Sequence, residues 1–453
     1  MSKKAYGEII ALILVLLTAA FLRLYRIAEL TEFLGDQGRT GIHIYEAWQK
    51  KELPLVGPTV LSGQHLGPAF YYLIAPSFIL TNFNPLAPAV FTAFLGVGAV
   101  ALLWFLSKKL FGWEIATMLA ALWAVSPQIV SSDRVLWEPN MIPFFVFLFL
   151  LGLVKKWHVI SGIVLGILMQ LHYPNLLFVG LTFLFKPSIK IIFGFLLAVF
   201  PFFYYELAHG FEDILGVLTN FSSGGQIRFI PNILDYSSRV MHRLAPFPGT
   251  FFVLFLPILL KPTFWKIFVA LWMSIGIIAM SLYRGVVFDH YLFFLIPAVF
   301  LLFGFLLTQL NRKLAIIGIS ILVLFHLSKT DINKTGINDI ARTKSVSAEI
   351  LRLADGRQFS FGLIASRSFS DLHYRYFFAT SEKNPEPILS DTYNNLFLVC
   401  ETDSCPSIKE SVQIICYDAH CEGEYPKVTL INWKLASTTE KFGARLYQYA
   451  RPL

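Results

Sequence analysis

Residues 86–109 read LAPAVFTAFLGVGAVALLWFLSKK, in which 86–107 carry no charged side chain and Lys108-Lys109 follow at once. A membrane-spanning helix needs about 20 apolar residues, and Lys or Arg in short loops marks the cytoplasmic side. One stretch therefore supplies both a span and its direction. The same pattern recurs at 9–25, 114–131, 140–154, 158–172, 174–185, 191–205, 248–260, 265–283, 291–309 and 314–328, which makes eleven expected spans. With the N-terminus inside, the inner loops receive Lys3/Lys4, Lys108/Lys109, Lys155/Lys156, Lys186/Lys190, Lys261/Lys266 and Arg312/Lys313, against only two acids, Glu8 and Glu114. Eleven spans then put the C-terminal portion outside. Lys3 and Lys4 before an apolar run look like a signal peptide, but Phe21-Leu22-Arg23-Leu24-Tyr25-Arg26 offers no small-residue cleavage site. A retained first helix is expected.

Composition agrees. The 453 residues are 56% hydrophobic and only 15% charged, where an ordinary soluble domain carries about 25% charge. The abundance of Leu, Ile, Val and Phe excludes disorder. The net charge of +8 lies wholly in residues 1–328, which hold 22 basic and 14 acidic side chains; residues 329–453 hold 15 of each. The reading is a transmembrane body over 1–328 and a soluble extracytoplasmic domain over 329–453.

Two outer segments are long. Residues 27–85 contain an amphipathic helix over 41–51 and an apolar, aromatic stretch over 66–80; were 66–80 a span, the later basic pairs would fall outside, so it is expected to lie in the outer interface. The second segment is 206–247. In the tail, 343–355 read as helix and 359–365, 395–401, 412–417 and 427–433 as strands by their β-branched and aromatic content, a small α/β or α+β domain. All four cysteines (Cys400, Cys405, Cys416, Cys421) fall there, and on the outer side they are disulfide candidates, with zinc as the alternative.

The cations sort by type. Eleven of the twelve inner ones are Lys, whereas eight of the ten outer ones are Arg: Arg23, Arg26, Arg39, Arg134, Arg228, Arg239, Arg243 and Arg284. Any cation sets topology, but only a planar guanidinium grips phosphate bidentately. Some of these are expected to pair with loop carboxylates and the rest to hold an anionic substrate. Twelve acids accompany the ten outer cations, so bulk charge gives no affinity for nucleic acid. In Phe33-Leu-Gly-Asp36-Gln-Gly-Arg39, Asp36 sits just beyond the first span beside a cation, where burial would raise its pKa and suit it to general-base work; the alternative is an N-cap for a helix beginning near Gly38. Ser131–Asn140 packs Asp133, Arg134, Trp137 and Glu138 into one outer loop, or merely caps a turn through Pro139. His65 precedes the interfacial stretch that carries Tyr71 and Tyr72, and His172, His290 and Tyr291 stand at outer helix ends, where a lone His is more often structural. Neither H-E-x-x-H nor G-x-S-x-G is present. Polar machinery confined to the outer side points to a donor delivered through the membrane on a lipid.

This layout resembles the GT-C membrane glycosyltransferases, in particular their protein-mannosyltransferase-like and aminoarabinose-transferase-like bacterial branch. The resemblance covers 1–328 in layout and Gly35–Arg39, His65–Tyr72 and Ser131–Asn140 in motif. It implies a hexosyl or pentosyl transferase of the plasma membrane, using a polyprenyl-phosphate sugar and a glycan, lipid or protein acceptor. Asp36 falls on the family's catalytic base and Asp133 on its assisting acid. Arg39, Arg134 and Arg284 would hold the donor phosphate. His65, Tyr71, Tyr72, Trp137, Glu138, His172, His290 and Tyr291 would line the substrate and lipid groove. Many members follow the first Asp with Glu where this chain has Gln37. A divalent cation (Mg or Mn) is admitted by the family but not required, Glu32, Glu46 or Glu138 standing in for the missing Glu, and no metal ligand is assigned. Two rivals share some of these features. A lipid-linked glycan polymerase or ligase would have the same long loops and Arg excess. A transporter would carry charges within its spans and internal repeats, which the central spans lack.

Overall fold

The structure is a computed structural model describing residues 3–60, 63–184, 187–245, 248–388, 393–416 and 426–451; Lys186 and Cys421 lie outside the described residues. Each of the eleven expected spans falls mainly on helix among the described residues. Among the described residues, six helices, fewer than the eleven expected spans, are long and apolar enough to cross a membrane: Ala5–Leu24, Leu86–Phe111, Glu138–Lys155, Ile189–Ala208, Phe264–Leu282 and Asp289–Leu307. A seventh is the pair Trp113–Val125 and Pro127–Asp133, bent by 66°. The stretches expected at 158–172, 174–185 and 248–260 correspond to the shorter apolar helices His158–Leu171, Tyr173–Leu184 and Phe251–Leu260, and 314–328 lies within the 18-residue helix Arg312–Lys329.

The bend has a cause and a consequence. Pro127 has no N–H to continue the ladder, so carbonyls before it lose their helical donors and need others in an apolar setting. The Arg23 guanidinium donates to Ala124 O at 3.0 Å, and the Thr330 hydroxyl to Val125 O at 3.2 Å. Helices His158–Leu171 and Ile189–Ala208 meet backbone to backbone: a Cβ on Gly162 would fall 2.1 Å from Ile191 O, and one on Gly194 would fall 2.2 Å from Val159 O. Small residues of this kind let apolar helices pack closely without a hydrophobic driving force.

The chain divides into two compact units. One comprises Met1–Tyr25, Pro54–Ile74 and Ala89–Lys334; the other comprises Arg26–Leu53, Ala75–Pro88 and Thr335–Leu453. The second unit thus joins much of the segment 27–85, the expected first outer loop, to the tail. Its sheet runs β1 (Phe359–Ala365), β2 (Asn395–Cys400), β6 (Ala444–Ala450), β5 (Lys434–Lys441), with β1 and β2 parallel and the remaining pairs antiparallel. A separate ladder pairs β3 (Ser411–Gln413) with β4 (Lys427–Thr429). Every residue of β2 is buried: Phe397 and Val399 pack with helices Asp339–Ala354 and Leu372–Thr380, while Leu396, Leu398 and Cys400 pack with Val412, Ile414 and Val428. The expected helix and the strands at 359–365 and 395–401 are present, whereas the strand expected over 412–417 is confined to Ser411–Gln413 among the described residues and the one over 427–433 to Lys427–Thr429. Helix Leu372–Thr380 and the β5–β6 hairpin are additional, the hairpin turning through Phe442 and Gly443, both at positive φ.

Candidate functional site

Asp36 lies in the second unit, in the first turn of helix Gly35–Lys50. This helix starts three residues earlier than the expected start near Gly38, so Asp36 is its second residue and does not cap it. Leu34 occupies the N-cap, and its N–H donates to the Gln37 side-chain oxygen at 2.9 Å. A carboxylate in a first helical turn is favoured by the helix dipole. The Arg39 guanidinium donates to Asp36 Oδ1 at 2.8 Å. Burial raises the Asp36 carboxyl above its ordinary value, and the Arg39 charge opposes that rise without cancelling it. The side chain keeps 26% of its surface exposed, enough for a proton to leave or arrive.

A divalent cation does not fit this turn. Among the described residues no three His, Cys, Asp or Glu side chains gather as a metal site. Arg39 already neutralises Asp36, and the Gln37 oxygen is directed to the Leu34 N–H.

The membrane unit holds the other candidates. Asp133, the last residue of the bent helix pair, is buried and accepts from Arg23 Nε at 2.8 Å. A Cβ on Gly96 would fall 2.5 Å from the Asp133 carboxyl, so the glycine makes room for it. Arg134 donates to the carbonyl of Leu22. It also lines a cavity of about 170 Å³ with Phe21, Tyr25, Lys329, Asp331 and Lys334 among others, where three cations meet a single acid. Arg284 is exposed, and its carbonyl accepts from Gly225 N at 3.2 Å.

Four of the expected groove residues come together. The Trp137 and His290 rings lie 4.4 Å apart, His172 lies 5.6 Å from His290 and 5.0 Å from Tyr291, and His290 and Tyr291 are 4.6 Å apart. Glu138 opens helix Glu138–Lys155 directly after Trp137. His65 sits elsewhere in this unit: its N–H donates to Asp213 Oδ1 at 2.7 Å, its ring lies 3.3 Å from the same carboxylate, and its carbonyl accepts from Tyr173. Tyr71 is buried, and the Tyr72 hydroxyl donates to Pro54 O at 2.5 Å. Of the eight arginines expected outside, Arg23, Arg26, Arg39, Arg239 and Arg243 have carboxylate partners.

In the tail, Cys400 and Cys405 are joined and Cys416 is also disulfide-bonded. Arg23, one of the arginines expected to pair with a carboxylate or hold an anion, is engaged by Asp133. Sequence reasoning missed two contributors: Asp213, partner of His65, and Ser368, whose hydroxyl accepts from Gly35 N at 3.1 Å and which no motif marks.

No known family's sequence profile matches the chain, and no curated protein is similar to it in sequence. Solved structures are. ArnT from Cupriavidus metallidurans bound to undecaprenyl phosphate superposes with a TM-score of 0.67 at 11% identity, over 98% of each chain. The same enzyme in its apo state gives 0.61 at 11% identity, over 88% of this chain and 94% of that one. The Archaeoglobus fulgidus oligosaccharyltransferase with Zn and sulfate gives 0.52 at 12% identity, over 86% of this chain and 67% of that one. The chain therefore has the fold seen in ArnT: a polytopic helical membrane body with a small sheet region near its C-terminus.

Proposed function

We propose that this chain is a multi-pass plasma-membrane glycosyltransferase that moves a sugar from a polyprenyl-phosphate donor to an acceptor hydroxyl on the outer side, with inversion. The observation that carries this reading is the Asp36 carboxylate, raised by burial and held by Arg39 in the first turn of helix Gly35–Lys50. A raised carboxyl moves toward neutral pH, where a general base works best. The fold supports the donor class, since ArnT of the same architecture binds undecaprenyl phosphate.

In the proposed step Asp36 takes the proton from the acceptor hydroxyl, whose oxygen attacks the anomeric carbon from the face opposite the phosphate. The bond from that carbon to the phosphate oxygen breaks, and polyprenyl phosphate leaves with the electron pair. Arg39 is the cation paired with the base; within the membrane unit, taken by itself, Arg134 and Arg284 are the proposed phosphate ligands. A base of this kind contributes about 10²–10⁴ in rate, and preorganised charge in a dry site a few kcal/mol more. Asp133, whose charge is engaged by Arg23, would assist by fixing Arg134 next to it. Trp137, Glu138, His172, His290 and Tyr291, with His65, Tyr71 and Tyr72, are the proposed lining for sugar and lipid.

The test uses purified protein in nanodiscs with a panel of undecaprenyl-phosphate-linked hexoses and pentoses. Turnover of one donor by wild type, lost in Asp36→Asn at unchanged folded yield, is the expected result. Near wild-type turnover by Asp36→Asn would refute the base.

A further inference from the structure

We infer that Ser368 is a positioning residue for the Asp36 turn, held in place by Glu401, so that the C-terminal sequence completes the geometry of the proposed base. The inference rests on the reading of Asp36 as that base. It starts from the first N–H groups of a helix, which have no partner within the helix. At helix Gly35–Lys50 three consecutive amides are each assigned: Phe33 N to Asp339 Oδ2 at 3.3 Å, Leu34 N to the Gln37 oxygen at 2.9 Å, and Gly35 N to Ser368 Oγ at 3.1 Å. Two of the three acceptors come from more than 300 residues downstream.

Ser368 is itself fixed from every side. Its hydroxyl donates to Ser370 O at 2.6 Å, and its N–H donates to Ser366 Oγ at 2.9 Å. The Ser366 hydroxyl in turn donates to Glu401, just past the end of β2. Glu401 also accepts from the Tyr374 hydroxyl at 2.8 Å and from Arg342 Nε at 3.1 Å. Arg342 reaches on to Asp339, which Arg367 holds at 2.8 Å as well. Asp339 and Ser370 are fully buried and Ser368 nearly so. An unbroken line of hydrogen bonds thus runs from Glu401 through Ser366 and Ser368 to the amide next to Asp36.

Packing fixes the same turn from a second direction. A Cβ on Gly38 would fall 2.4 Å from Leu372 O and 2.5 Å from His373 N, and one on Gly35 would fall 2.8 Å from Ser370 Cβ. The backbone of the turn therefore lies directly on the backbone that opens helix Leu372–Thr380, with no side chain between. Such contact allows little lateral movement, and a displacement of about 1 Å at a reacting group costs on the order of 10²-fold in rate.

The experiment compares Asp36→Asn, Ser368→Ala and Ser368→Thr in nanodiscs, using the undecaprenyl-phosphate donor that wild type turns over, together with amide hydrogen exchange across residues 33–38. Ser368→Ala is expected to exchange faster at 33–38 and to lose about tenfold or more in kcat with KM for the donor unchanged, and Ser368→Thr, which keeps the hydroxyl, to restore both. If Asp36→Asn is inactive while Ser368→Ala keeps wild-type kcat and exchange, the positioning role is overturned and the base stands. If Asp36→Asn stays active, the base reading falls, and unchanged exchange at 33–38 in Ser368→Ala overturns the seat on its own.

Discussion

Arg23 and Asp133, 110 positions apart, form an ion pair of 2.8 Å in which the guanidinium is wholly enclosed and the carboxylate almost so. The same guanidinium donates to Ala124 O beside the Ser126–Pro127 break. One arginine thus ties the first helix both to the bend within the third expected span, 114–131, and to the acid that ends the bent helix pair.

Removing one member of such a pair leaves a buried uncompensated charge, typically at about 3–5 kcal/mol. Asp133→Ala should therefore lower folded yield and thermal stability, whereas Arg23→Met with Asp133→Leu should recover much of the loss. Thermal unfolding in detergent distinguishes the variants. A fully stable Asp133→Ala protein would show that the pair does not hold the bend.

The pH dependence follows from Asp36. Burial raises its carboxyl and Arg39 lowers it, with burial prevailing. A base works only when deprotonated, so the acidic limb of kcat/KM should lie above the ordinary Asp value of about 3.9. Arg39→Gln removes the lowering charge, and the limb should move to still higher pH as overall activity falls. Movement to lower pH would contradict the assignment.

The disulfide between Cys400 and Cys405 closes a short loop of sequence separation 5 that begins with Glu401. Closing a loop this short is worth about 2 kcal/mol by the chain-entropy relation. Cys405→Ser should lower the thermal midpoint and speed amide exchange near 366–368, read by mass spectrometry. Exchange unchanged there would show that Glu401 keeps its place without the bond.

Trp137 stands 4.4 Å from His290, within ring contact of the cluster that includes His172 and Tyr291. If these rings bind the donor equally in ground and transition states, Trp137→Ala should raise KM about tenfold and leave kcat within about threefold. A selective fall in kcat would instead give Trp137 a role in the chemical step.

The helical body was legible because apolar runs bounded by basic pairs are a local signal: each of the eleven runs falls mainly on helix among the described residues, though six or seven of the helices are long and apolar enough to cross a membrane. The bend at Pro127 was not, since the run reads through it without a change in hydropathy. In the tail, β1 and β2 announce themselves through Phe359, Phe361, Phe397 and Val399, which are all buried. β5 does not, because Lys434–Lys441 is mostly exposed and polar. Asp36 stands out as a candidate through its neighbours in sequence, but its helix begins three residues before the expected start near Gly38, because the cap is Leu34 with Gln37 rather than an Asp. The attachment of its turn to Ser368 was beyond reach: a single serine over 300 residues away carries no periodicity, and only folding brings it to Gly35.

The central claim is that Asp36 removes the acceptor proton. Its most direct test is single-turnover sugar transfer by Asp36→Asn in nanodiscs, with binding of undecaprenyl phosphate measured in parallel. The account predicts a loss of about 10²–10⁴ in the transfer rate with lipid binding retained. Transfer at near the wild-type rate would contradict it.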